Sequence, residues 1–227
     1  MNVKRHSMTR ASDVTALVLL AAAGALASLP AAGCASTGRS RAGEVMGPGE
    51  RLAKAWDFAQ DAEKAHKRGR LEEAISLYGQ AAAYGPNVAP IQHNLGYVLY
   101  ERGNRYDAVI AFKRAAEAEP SDPRHFTAVG HVYAEAYWSE RALEYYERAL
   151  AIDPNYLEAL LGSVKAAESL GRAEEVDLER VRRALLISTD AKQQEYLSRR
   201  SLVLRGRLER ARLDNFASVD ENPSETR

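Results

Sequence analysis

A spacing of 34 residues constrains the fold of this chain more than any other feature of its sequence. When residues 89–122 are aligned without gaps to residues 123–156, small, aromatic and proline positions coincide. The preceding window, residues 55–88, keeps the same register at its alanines, its tyrosine and its proline. Such a period is typical of stacked helical hairpins, because a single hairpin cannot bury its apolar face alone.

The residue types at the repeated positions suit a pair of antiparallel helices. Gly96 and Gly130 are small, as expected where the two helices of one hairpin approach closely. Phe112 and Tyr146 occupy matching places in the second helix, and we expect them to fill the space between hairpins. A proline ends each repeat because proline cannot continue a helix.

This pattern of Leu-Gly, alanine, aromatic and proline positions resembles the tetratricopeptide repeat. The resemblance implies an all-α fold, a right-handed superhelix of helical hairpins with C-terminal capping helices. The repeats are expected within residues 51–188, at about 55–88, 89–122, 123–156 and, in degenerate form, 157–188. Residues 189–218 are predicted to form a basic C-terminal helix, and residues 219–227 a disordered tail.

The N-terminus has the three parts of a secretory signal peptide: a basic start, an apolar stretch and small residues before Cys34, the only cysteine. The run Ala31-Ala32-Gly33-Cys34 resembles the lipobox of bacterial lipoproteins. That resemblance implies that residues 1–33 are removed and that Cys34 is lipidated. An uncleaved signal anchor and ordinary secretion are the alternatives, although the apolar run is shorter than the ~20 residues that span a bilayer.

The resemblance to lipoproteins also implies a location. It places the protein in the bacterial cell envelope, and Ala35 after the cysteine favours the outer membrane, facing the periplasm. Residues 34–50 are rich in glycine and poor in large apolar side chains, so they are predicted to form a flexible tether.

Composition excludes several classes of protein. Lysine plus arginine and aspartate plus glutamate each number 31, and this balance argues against a dedicated nucleic-acid binder. A single cysteine excludes a disulfide framework and a zinc site built from several thiolates. The charge is nevertheless segregated, with a net of −4 over residues 157–179 and +7 over residues 180–212.

The resemblance to the tetratricopeptide repeat implies that the first helices of the repeats line a concave groove that binds protein segments. Aromatic rings are favoured anchors in such interfaces, although some of these rings could instead pack against a neighbouring hairpin. The candidate groove residues are Trp56, His93, Tyr97, Tyr100, Arg124 and His131.

A specialised form of this groove, the carboxylate clamp of chaperone-binding relatives, is not expected here. Asn94 and Arg124 stand at two of the clamp positions. Ala59, Glu63 and Ala128 stand where the clamp requires lysine, asparagine and a further cation.

The basic C-terminal helix is a second candidate surface. Arg199, Arg200, Arg205 and Arg207 could meet anionic lipid or an acidic partner. They could equally be solvated, or pack within the chain beside its acidic segment, because arginine stems often cover apolar surface.

Signatures of catalysis are absent from the sequence. The five histidines form no metal-binding spacing, and neither a phosphate-binding glycine loop nor a nucleophile elbow occurs. We therefore expect no enzyme, no cofactor and no metal site. The expected function is a non-catalytic, lipid-anchored adaptor that binds an envelope protein or peptide through its groove, without nucleic acid. The alternative is a membrane-surface structural element whose basic C-terminal helix contacts lipid or an acidic partner.

Overall fold

The computed structural model of the protein describes residues 46–220. Over this range the chain forms nine helices and no strand. The helices are α1 Pro48–Lys67, α2 Leu71–Tyr84, α3 Ala89–Glu101, α4 Arg105–Ala118, α5 Pro123–Glu135, α6 Ser139–Ile152, α7 Leu157–Ser169, α8 Glu175–Ile187 and α9 Ala191–Asp220. The predicted signal peptide (residues 1–33), Cys34 and most of the predicted tether lie outside the described residues.

Successive helices pack on each other as antiparallel hairpins. The closest packing joins α1 to α2, α3 to α4 and α5 to α6, and each hairpin then packs on the next. The first helices α5 and α7 also touch directly across the repeat boundary. The first helices therefore form one layer and the second helices the other, as predicted for an all-α stack of hairpins.

The glycines at the repeated positions receive the aromatic rings of the second helices. A Cβ atom added to Gly130 would lie 2.7 Å from Cε1 of Tyr146, and one added to Gly96 would lie 2.7 Å from Cδ1 of Phe112. Both rings are buried. Close packing at these positions confirms the reason for their small size, since any side chain larger than hydrogen would collide with the ring.

The turn inside each hairpin uses a residue in the left-handed region of backbone conformation. Gly69, Gly103 and Gly171 adopt φ values of 74°, 87° and 69° at this turn. The equivalent position of the third hairpin is Tyr137, with a φ of 60°. A side chain with a Cβ atom is strained in this conformation, whereas glycine is not.

Two boundaries differ from those predicted. Helix α1 begins at Pro48, so the last three residues of the predicted tether, 34–50, are helical. Proline suits the first turn of a helix because its φ is already helical and its missing N–H has no partner there. At the other end, α9 continues to Asp220, two residues into the predicted tail. Between residues 46 and 220 we find no helix that is both long and apolar enough to cross a membrane.

Candidate functional site

A cavity of about 420 Å³ lies on the concave face, where the first helices of successive repeats meet. Its size is within the range of small-ligand and peptide pockets. Glycine and alanine in its wall leave room, and tyrosine, histidine and charged side chains surround that space. The lining residues are Tyr100, His131, Ala134, Glu135, Tyr146, Glu158, Leu161, Gly162 and Lys165.

The Tyr100 side chain is held in place by the next repeat. Its hydroxyl donates a hydrogen bond to the carboxylate of Glu135, and that carboxylate also lies 3.5 Å from Nη2 of Arg105. Burial, together with the bond to this carboxylate, raises the pKa of Tyr100 to about 12. Tyr100 therefore stays protonated and presents a fixed ring to the cavity.

The same link recurs one repeat earlier. Nε2 of His66 lies 2.6 Å from Oε2 of Glu101. His66 is 34 positions before Tyr100, and Glu101 is 34 positions before Glu135. The His66 ring also meets the edge of Tyr97, with ring centroids 5.8 Å apart. Tyr97 remains 47% exposed, and the nearby Glu101 carboxylate raises its pKa. A ladder of polar links thus connects the first helices along the groove.

His131 lines the cavity with a solvent-exposed side chain. Its ring packs on Tyr146, with ring centroids 5.6 Å apart. Burial within the concavity and the neighbouring Lys165 lower the pKa of His131. The neutral ring can both donate and accept a hydrogen bond.

Two charged residues of the cavity, Glu158 and Lys165, were not among the predicted groove residues. Both belong to α7, in the degenerate fourth repeat. The 34-residue register would have identified them, because Glu158 corresponds to Arg124 and Lys165 to His131. The loss of the repeat pattern later in this unit, beyond α7, concealed the intact groove positions of its first helix.

The other predicted groove residues are placed differently. Trp56 is partly exposed on α1 and does not line this cavity. The guanidinium of Arg124 binds the carboxylate of Asp122 through Nε and Nη2, at 2.8 and 2.5 Å from Oδ2. His93 is half-buried, with its ring centroid 5.2 Å from that of Phe112 in its own hairpin and 5.0 Å from that of His125 on α5. Through His125 it packs against a neighbouring hairpin, the alternative that the sequence left open.

A larger cavity, of about 950 Å³, lies between the second helices α2 and α4. Small side chains such as Gly79, Ala82 and Ala83 form much of its wall, and none of the described residues that line it is aromatic. This surface therefore lacks the anchors that favour binding in the concave groove.

The predicted basic surface on α9 needs a correction at Arg200. This side chain is only 5% exposed, and its guanidinium reaches Glu168 at 3.5 Å and the carbonyl oxygen of Arg172 at 3.3 Å. Arg200 shares the buried stripe of α9 with Leu197 and Leu204, which pack on the last repeat. Helix packing therefore removes it from the surface.

The other three arginines are exposed. Arg199 pairs with Glu195 on the same helix, and Nη1 of Arg207 lies 3.4 Å from the carbonyl oxygen of Gly171. Arg205 lies on the exposed side of the helix near Arg212.

The exposed side of α9 also carries large apolar side chains. Leu202, Leu213 and Phe216 are between 67% and 73% exposed. Their spacings of 11 and 14 residues bring them to one side of the helix. The C-terminal helix thus has one buried stripe and one exposed apolar stripe flanked by arginines.

Comparison with protein families identifies the repeats. Models of the tetratricopeptide repeat match residues 65–131 and residues 126–156. A curated relative, the protein CTR9 homolog of Arabidopsis thaliana, is 30% identical over 114 residues, which are 48% of this chain and 10% of the relative. The peroxisomal targeting signal receptor of Kluyveromyces lactis is 28% identical over 101 residues, or 44% of this chain and 18% of the receptor. The chain thus spans only a small part of these relatives.

Solved structures share the fold at low sequence identity. A structure described as the MamA RS-1 ArsTM double mutant is 21% identical, covers 78% of this chain and 96% of its own, and has a TM-score of 0.60. YrrB, described as a tetratricopeptide protein with an unusual peptide-binding site, is 19% identical, with coverage of 75% and 88% and a TM-score of 0.57.

A third solved structure is the first tetratricopeptide domain of Spaghetti (RPAP3) bound to the HSP90 peptide SRMEEVD. It is 22% identical, with coverage of 53% of this chain and 96% of its own and a TM-score of 0.51. The predicted all-α superhelix of hairpins is confirmed by these likenesses, and residues 65–156 are tetratricopeptide repeats.

Proposed function

We propose that this protein is a non-catalytic adaptor that binds a peptide segment of a partner protein in the concave cavity. The observation that carries the proposal is the 420 Å³ cavity lined by Tyr100, His131, Glu158 and Lys165. Aromatic rings supply contact area at low cost in side-chain entropy, and the charged groups supply orientation. Peptide binding by the RPAP3 domain and YrrB supports the same use of this fold.

The cavity favours a segment with both polar and apolar side chains. Tyr100 is already fixed by Glu135, so binding does not have to order it again. Lys165 and Glu158 offer one cation and one anion, which suits a partner carrying both signs of charge. The clamp residues for a terminal carboxylate are missing, so the proposed ligand is an internal segment.

The proposed place of action is the bacterial cell envelope, with the protein held by lipid on Cys34 and facing the periplasm from the outer membrane. The lipobox-like run before Cys34 and the signal-like residues 1–33 support this proposal. Replacement of Cys34 by alanine should abolish incorporation of radiolabelled palmitate. A variant that still carries acyl groups would disprove lipidation at Cys34.

The groove assignment is tested by in-cell cross-linking and pull-down of the full-length protein. The double variant Tyr97→Ala with His131→Ala removes two exposed rings from the concave face. Tyr106→Ala is the matched control, because Tyr106 is an exposed ring on the second helix α4. We expect the double variant to lose the partner that the wild type and the control capture. Equal capture by all three proteins would refute the groove as the binding site.

A second candidate function is contact between α9 and a membrane surface. Leu202, Leu213 and Phe216 form its exposed apolar stripe, and Arg205 and Arg212 are nearby exposed cations. An amphipathic helix of this kind can lie in a membrane interface, with its arginines attracting anionic lipid.

Vesicle sedimentation separates the two functions. We expect the full chain carrying Cys34→Ser, which cannot be lipidated, to bind vesicles that contain anionic lipid more than neutral vesicles. Leu213→Ser with Phe216→Ser should reduce that binding and leave partner capture unchanged. If the double serine variant binds anionic vesicles as well as its parent, the membrane contact of α9 is refuted.

A further inference from the structure

Three potential metal ligands meet where the second repeat ends and the third begins. Glu119 follows the last residue of α4, Asp122 caps the N-terminus of α5, and His125 lies in the first turn of α5. Nε2 of His125 lies 3.6 Å from Oδ2 of Asp122 and 3.9 Å from Oε2 of Glu119. One ligand atom from each of the three side chains lies within 4.8 Å of the others.

One nitrogen of the buried His125 ring lacks a hydrogen bond. The side chain is only 2% exposed, and Nε2 has no hydrogen-bond partner among the described residues. Its distances to the two carboxylates are too long for hydrogen bonds. A buried polar atom without a partner costs free energy, and such atoms are rare in folded proteins. The ring nitrogen therefore points to a ligand between itself and the carboxylates.

We propose that Glu119, Asp122 and His125 bind a divalent transition-metal ion of the Zn²⁺ class. One imidazole nitrogen and two carboxylate oxygens are ligands that Zn²⁺ accepts, usually at 2.0–2.2 Å. Ligands at that distance around a tetrahedral ion lie about 3.4 Å apart, closer than the 3.6 and 3.9 Å from Nε2 of His125 to the two carboxylates. The exposed Glu119 side chain is free to move closer to the other two ligands.

The opposite side of the imidazole ring is already oriented. Nδ1 of His125 lies 3.0 Å from Nδ1 of His93, so one of these nitrogens donates a hydrogen bond to the other. When His125 is the donor, its Nε2 carries a free lone pair directed at the carboxylates. A partner on the second ring nitrogen is the usual arrangement for a metal-binding histidine, because it sets the tautomer and the ring orientation.

Arg124 competes with the proposed ion for Asp122. Its guanidinium contacts both oxygens of that carboxylate, and its backbone N–H also donates to Oδ1. Each oxygen therefore already accepts two hydrogen bonds, and the ion must displace one of them. Bound metal would join the end of α4 to the start of α5 and would thus brace the junction of two repeats. This site could not be predicted from the sequence, because Glu119, Asp122 and His125, spaced three residues apart across a helix start, match no common metal motif.

The test is calorimetric titration of the full chain with Zn²⁺ alone, in a Cys34→Ser background that removes the thiol. We expect one equivalent to bind, and Glu119→Gln to weaken the affinity by at least about tenfold, since even indirect ligand support contributes tenfold or more. Glu117→Gln is the matched control, because Glu117 is exposed two residues earlier, in the last turn of α4. Equal affinities of these two variants would overturn the proposal.

Three further measurements support the test. His125→Gln should also weaken Zn²⁺ binding, but unlike Glu119→Gln it changes a buried side chain, so circular dichroism must show that this variant is folded. In the unaltered site, Zn²⁺ should shift the NMR resonance of Nε2 of His125 and leave that of His131 in place. An unshifted Nε2 at saturating Zn²⁺ would show that the ion binds elsewhere. Arg124→Gln should tighten binding by removing the competing cation, and unchanged affinity would exclude Asp122 as a ligand.

Discussion

Replacing Tyr137 by glycine is expected to stabilise the protein. Tyr137 adopts a φ of 60° and is 91% exposed, so its ring contributes little burial while its Cβ atom is strained. The left-handed conformation costs a residue other than glycine roughly 1–2 kcal/mol. Glycine removes that cost, but its greater backbone entropy stabilises the unfolded chain by roughly 0.5–1 kcal/mol. The free energy of unfolding should therefore rise by about 0.5–1 kcal/mol.

The turn geometry explains why the effect is confined to the backbone. The N–H of Tyr137 donates to the carbonyl oxygen of Ala134 at 3.1 Å, and the next N–H donates to Tyr133 at 3.0 Å. The N–H of Gly103 makes the corresponding bond to Tyr100 at 2.9 Å, in the hairpin before. The hydrogen bonds of the two turns match, so the residue at the left-handed position is the main difference between them.

Urea unfolding followed by far-UV circular dichroism measures the change, and thermal unfolding should show a rise of about 2–4 °C per kcal/mol for a chain of this size. The reciprocal variant Gly103→Tyr has open space for a Cβ atom and should lose a similar free energy. Tyr137→Ala removes the ring but keeps the strain, so it should not stabilise. A less stable Tyr137→Gly, or an unchanged Gly103→Tyr, would refute the argument from backbone strain.

Four other substitutions test the packing of the repeats by urea unfolding. Gly130→Ala should destabilise by about 1–2 kcal/mol, because overpacking against Tyr146 outweighs the helix propensity of alanine. Gly79→Ala, in an open helical position, should instead stabilise the protein by about 1 kcal/mol. If both alanine variants were less stable than the wild type, the assignment of Gly79 to an open position would be wrong. Tyr100→Phe should cost about 0.5–1.5 kcal/mol through the lost inter-repeat hydrogen bond, and an unchanged midpoint would mean that this bond is not formed. Arg200→Ala should cost about 1–3 kcal/mol by removing a buried side chain and its contacts with Glu168 and the carbonyl oxygen of Arg172, whereas a truly exposed arginine would cost almost nothing.

The helical hairpins were predictable because their determinants are local. Glycine, alanine, aromatic and proline positions recur every 34 residues, and each specifies a turn, a close approach or a helix end. The start of α1 was predicted within a few residues, and the difference arose from Pro48, which can open a helix as well as interrupt one.

The candidate groove was predictable only in part. Repeat positions identify which side chains of the first helices face inward, and Tyr97, Tyr100 and His131 were named on that basis. They do not show what each side chain meets, so the packing of His93 between helices was left open. Glu158 and Lys165 were not predicted, because the 34-residue register was not extended into the fourth repeat.

The sequence by itself determined the repeating hairpins and which residues must be small, because these follow from steric limits within a few turns of helix. The tertiary structure decided how charged groups are used, because pairing depends on how the helices pack. It buried Arg200 against Glu168 and fixed Tyr100 on Glu135, pairs that are 32 and 35 positions apart. It also directed His125 at two carboxylates that are near in the sequence but lie across a helix boundary. The period is therefore visible in the chain, whereas the chemistry of its surfaces emerges only when the repeats are stacked.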